Sequence, residues 1–112
     1  MTRAEFAKPL AEEMEVDFLT ILTALTILAS TLPQFMALCQ DDETVSAGVR
    51  VKRMCEENPV VSRWEIMKTL PRVKPRKHRK RVAEAIRKKI VSLPPEDVVA
   101  LLEESVVSGQ AV

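Results

Sequence analysis

The chain has no tyrosine, one tryptophan, three phenylalanines and only two glycines in 112 residues. Sandwiches and barrels build strands from aromatics and turns from glycine, so this composition argues against both. Two cysteines and one histidine cannot furnish a zinc ribbon or a disulfide-dense scaffold. With two glycines there is no glycine-rich phosphate loop. These shortages make catalytic constellations hard to assemble. The expectation is a non-enzymatic chain with no metal and no cofactor. At 46% hydrophobic and 29% charged residues, the composition is that of one ordinary globular domain and argues against full disorder.

A net charge of +1 hides a polarity. Residues 1–60 hold 5 basic and 10 acidic residues, whereas residues 61–112 hold 12 basic and 6 acidic. All 12 of those cations fall between Arg63 and Lys89, opposed there only by Glu65 and Glu84. Halves of opposite sign suggest an acidic helical part and a basic surface facing an anion.

The pattern divides the chain into three regions: an amphipathic, apolar helical stretch over 1–40, a loop and weak helix over 41–59, and a basic helical region with a C-terminal helix over 60–112. Thr2 and Glu5 fit a capping box, and Pro9 suits a first helical turn. Leu10 to Leu32 reads as one long helix. Leu10, Met14, Phe18, Ile21, Leu25, Leu28 and Leu32 share one face, and Glu12, Glu13, Thr20, Thr23 and Ser30 the other. Val16, Leu19 and Ile27 interrupt the polar face and form a second, mildly apolar seam. A helix apolar on both sides is usually buried on both, so this seam is the candidate interface of a homo-oligomer.

Phe18 to Cys39 carries no charge over 22 residues, so a membrane helix is the alternative reading. Pro33 interrupts the run short of a full span, and Trp and Tyr are missing from its flanks. Acidic residues outnumber basic ones before Phe18, which is unlike a signal peptide. On the membrane reading, the basic region faces the cytoplasm and the N-terminus lies outside.

Asp41 or Asp42 reads as the cap of a weak helix from Glu43 to Glu57, with Val45, Val49, Met54 and Cys55 as its buried side. Asn58-Pro59 is a stop. Val60 to Leu70 is a short helix carrying Trp64, a core or interface anchor. Pro71 and Pro75 bracket a linker longer than the usual helix-turn-helix turn, which makes a helix-turn-helix over Val60 to Ile90 the lesser reading. A basic helix runs from Arg76 to about Val91 on a Val82, Ile86, Ile90 stripe. Pro94-Pro95 opens the last helix, with Glu96 and Asp97 in its first turn and Val98, Val99, Leu101, Leu102 and Val106 as its core. The fold class expected is all-α, a bundle of four to five helices around the long N-terminal one, completed by self-association.

Six of the eight residues from Lys74 to Arg81 are Lys or Arg, and they stand at a helix start, where the dipole disfavours positive charge. That anomaly points to an anionic partner. Three partners come into question: nucleic acid, lipid headgroups, and the acidic residues Glu12, Glu13, Glu15 and Asp17 of the same chain. Nucleic acid is the leading reading, and the candidate contacts are Arg72, Lys74, Arg76, Lys77, Arg79, Lys80, Arg81, Arg87 and Lys88. No aromatic lies within the basic segment, so contact should be to phosphates, with weak sequence preference and strong salt dependence. The run also matches a nuclear localisation signal. The expected place is the cytoplasm, or the nucleus if the source cell has one. His78 reads as solvated, and Cys39 and Cys55 as free thiols.

Overall fold

The computed structural model describes residues 1–38 and 45–104. Among these residues there are six α-helices and no strand: α1 (Arg3–Met14), α2 (Phe18–Leu38), α3 (Ala47–Glu57), α4 (Pro59–Met67), α5 (Arg76–Ser92) and α6 (Pro95–Leu102). The all-α expectation holds, with one helix more than expected. The Leu10–Leu32 stretch is two helices.

α1 starts where the capping box places it. The Thr2 hydroxyl accepts from the Glu5 N–H at 3.1 Å, and the Glu5 carboxylate accepts from the Thr2 N–H at 2.8 Å. Those bonds hold the Glu5 carboxyl below its ordinary value. Pro9 therefore lies inside α1, not in its first turn. The helix ends at Glu15, which takes the left-handed conformation at φ 57°. The Val16 N–H then reaches back to the Ala11 carbonyl at 3.0 Å, the closing bond of a Schellman turn. Asp17 restarts the helix: its carboxylate accepts from the Leu19 N–H at 3.4 Å, and its carbonyl from the Thr20 N–H at 3.0 Å.

α2 passes through Pro33 and continues to Leu38, so Pro33 does not end it. The proline forgoes one backbone bond, while the buried Leu32 and Met36 on either side keep the helix seated in the core. Phe18–Met36 is long and apolar enough, by length and composition, to cross a membrane. In this fold its Ile21, Leu25, Leu28 and Leu32 are buried against the other helices. Its outward side carries Thr23, Thr26, Ser30 and Thr31.

α3 begins later than expected, at Ala47, with Ser46 as its cap accepting from the Val49 N–H at 3.3 Å. The Asp41 and Asp42 assignment lies outside the described residues. Val51, Met54 and Cys55 are its buried side chains, whereas Val45 and Val49 are half-buried. Gly48 is required here by close packing: a Cβ at this position would stand 2.7 Å from the Val99 backbone nitrogen of α6. The Glu103 carboxylate accepts from the Gly48 N–H at 2.9 Å, favourable at a helix N-terminus.

Pro59 opens α4, α5 spans the residues expected of it within one position, and α6 carries Glu96 and Asp97 in its first turn. Val106 lies outside the described residues. All six helices contribute to one core, with Phe6, Leu25, Ile66, Val82, Ile86 and Leu101 fully buried in it. Each such side chain is worth roughly 1.5–3 kcal/mol of transfer free energy.

One buried cation ties the ends of the fold together. Arg3 is 6% exposed, and its guanidinium donates to the carbonyls of Leu101 at 2.9 Å, Glu104 at 3.1 Å and Leu102 at 3.4 Å. A positive charge among the free carbonyls of a helix C-terminus is well placed for the dipole.

Candidate nucleic-acid interface

α5 packs Val82, Ala83, Ile86 and Ile90 inward. At about 100° per residue, the opposite side of the helix carries Lys77, Arg81, Glu84 and Lys88, with Lys80 at its edge. All four of these cations are exposed. They share an open groove with Arg63 of α4, Lys89, and Leu10, Glu13 and Met14 of α1.

The carboxylates nearest in sequence to this stripe bond to other cations. Glu84 pairs with Arg87 at 2.7 Å and with Arg63 at 3.8 Å. The Arg87 hydrogen bond, and then the Arg87, Arg63 and Lys88 charges, hold its carboxyl below the ordinary value. Glu65 pairs with Lys68 at 2.9 Å. Glu12, Glu13, Glu15 and Asp17 form no ion pair among the described residues, so the acidic N-terminal region does not clasp α5 in this fold. Nor do Lys77, Lys80, Arg81 and Lys88 form any hydrogen bond or ion pair there.

Of the nine candidate contacts, the structure groups Lys77, Lys80, Arg81 and Lys88. Two others serve the fold. Arg79 donates from Nε to the Val73 carbonyl at 3.0 Å and from a terminal nitrogen to the Pro71 carbonyl at 3.4 Å, bracing the loop before α5. Arg87 adds to its Glu84 pair a bond to the Cys55 carbonyl at 2.8 Å. Arg76 places its guanidinium 5.5 Å from the centre of the Trp64 ring. Lys74 is exposed just before α5, and Arg72 lies apart, in a groove with Leu19 and Ile27 of α2. The helix start is as anomalous as its sequence suggests: Pro75 supplies no side-chain cap and no acid stands in the first turn.

Trp64 is not a core residue. It is 47% exposed, beside Val60 at 65% and Val61 at 41%. The helical spacing of α4 turns Ser62, Ile66 and Met67 inward instead. Sequence proximity hid this tryptophan from the basic segment, because the α4–α5 packing alone brings Trp64 and Arg76 together.

The proposed oligomer seam does not lie on one helix. Val16 sits in the turn between α1 and α2, half-buried against the core. Leu19 and Ile27 are 61% and 38% exposed on α2. His78 is half-buried at the α5 start. Cys55 is a free, buried thiol, which burial pushes up to about 12. Cys39 lies outside the described residues, and among the described residues no His, Cys, Asp and Glu cluster could hold a metal ion. No protein-family model, curated protein or solved structure matches this chain.

Proposed function

We propose that this chain is a non-enzymatic, cytoplasmic nucleic-acid-binding protein that holds a phosphate backbone along α5. The supporting observation is the stripe of Lys77, Lys80, Arg81 and Lys88, exposed and, among the described residues, without a hydrogen bond or ion pair, while the neighbouring Glu84 and Glu65 bond to other cations. Lys74 and Arg76 extend it at the helix start. Arg79 and Arg87 position the helix rather than meet the ligand. Contacts of this kind carry affinity but little sequence information.

Fluorescence anisotropy with labelled oligonucleotides of unrelated sequence tests this reading. Affinities should agree across sequences and fall roughly a hundredfold between about 50 and about 200 mM salt for four phosphate contacts. Absence of binding at the lower salt overturns it.

Self-association belongs to the same proposal. Leu19 and Ile27 leave α2 with an apolar strip beside Arg72, which a second copy would cover together with Val16. Sedimentation showing only monomer at micromolar concentration overturns that part. A membrane-associated protein is the second reading, favoured by the length and composition of Phe18–Met36. Recovery in the soluble fraction without detergent rules out insertion of α2.

A further inference from the structure

Beside the α5 stripe lies a second open cavity of about 350 Å³, between α4 and the start of α5. Its apolar wall is Trp64, Val60, Val61 and Met67, and its polar rim is Arg63, Arg76 and Lys80. Arg63 and Lys80 also line the groove of the α5 cations, so the two depressions form one continuous surface. A ligand spanning both meets a flat aromatic face flanked by cations at one end and a row of cations at the other.

The chemistry that matches is an unpaired nucleotide joined to further phosphates. A base stacks on an indole, and the phosphates on either side of it meet the rim cations. A duplex buries its base faces and can offer such a surface only phosphate and groove edges. Trp64 is 47% exposed, and the Arg76 guanidinium lies 5.5 Å from its ring centre, so a base reaches the indole by displacing that planar cation or by stacking on the ring's other face. We infer that Trp64 is a stacking platform and that the nucleic acid held along α5 is single-stranded. This rests on the phosphate-binding reading of α5 and adds the class of its ligand.

Trp64 is the chain's only tryptophan, so intrinsic fluorescence reports on this site directly. The full chain is titrated with a mixed-sequence single strand, with its duplex, and with inorganic polyphosphate, which has charge but no bases. The expected result is a quench by the single strand well beyond that by polyphosphate, and tighter binding of the single strand than of the duplex. Read by titration calorimetry, because the variants lack the fluorophore, Trp64→Ala should weaken single-strand binding by roughly 5- to 150-fold, as for the loss of one stacked base, and leave polyphosphate binding unchanged. Trp64→Phe keeps a stacking face and should restore most of the affinity.

Single-strand affinity unaltered in Trp64→Ala overturns the stacking platform and leaves the α5 reading intact. Equal loss of single-strand and polyphosphate binding overturns it too. So does a fluorescence change produced by protein concentration alone, or by an acidic amphipathic peptide and not by the oligonucleotide. Failure of wild-type protein to bind either nucleic acid overturns both readings together.

Discussion

The starts of α1 and α5 answer the same physical demand in opposite ways. Both helices leave backbone N–H groups without internal partners. At α1, Thr2 and Glu5 satisfy two of them, the acid lies at the positive end of the dipole, and Arg3 anchors the turn to the end of α6. At α5, no side chain caps the backbone, and Arg76 and Lys77 stand where an acid belongs. A chain able to build the first arrangement has no need of the second for stability. The contrast supports the proposal that the outward cations of α5 face a partner, and it gives Thr2, Glu5 and Arg3 to the fold itself.

Substitutions at the two ends should separate accordingly. The largest effect is expected at the anchored end. Arg3→Ala leaves buried carbonyls of α6 without donors and should destabilise by about 2–3 kcal/mol, read by chemical denaturation. An unchanged midpoint would mean that the clasp is ornamental. Thr2→Ala removes the cap alone and should lower stability by about 1 kcal/mol. At the other end the sign reverses. Lys77→Glu relieves the dipole and should stabilise by about 0.3–1 kcal/mol while weakening oligonucleotide binding. A loss of stability there would instead reveal an internal partner for Lys77.

Acid titration sharpens the same contrast. Glu5 and Glu84 both have carboxyl pKa values below the ordinary 4.5, through Thr2 and Arg87 respectively. A lowered folded-state value stabilises fully above the unfolded value, and that stabilisation disappears as pH falls through the folded value. Stability should therefore decline below about pH 4.5, and less steeply in Glu84→Gln. A slope unaltered by Glu84→Gln would place its pairing with Arg87 and Arg63 outside the stability of the fold.

Much of the architecture was legible in the residues. Shortage of glycine and aromatics, the capping box at Thr2, the stop at Asn58-Pro59 and the Val82, Ile86, Ile90 stripe all act locally, and their helices stand where the pattern places them. The turn at Glu15 was not legible, because the apolar phase resumes after it as though no turn had intervened. Asp17, a helix-capping residue type just before Phe18, was the available signal. Pro33 inside α2 depends on the burial of Leu32 and Met36, a tertiary effect. In the basic region, charge alone does not distinguish Arg79 and Arg87, whose forks reach backbone carbonyls in the loop before α5 and in α3, from Lys77, Lys80, Arg81 and Lys88. Trp64 joined the surface only through helix packing, so a reading confined to the basic segment found no aromatic.

The central claim is that the outward cations of α5 meet phosphates. It is tested most directly by the salt dependence of oligonucleotide binding in a variant carrying Lys77→Gln, Lys80→Gln, Arg81→Gln and Lys88→Gln. Each lost phosphate contact should lower the slope of log affinity against log salt by about 0.7 for a single strand, so the four together lower it by roughly three, with the melting temperature held or raised. A slope equal to that of the wild type, or a collapse of the fold on removing these charges, would contradict the account.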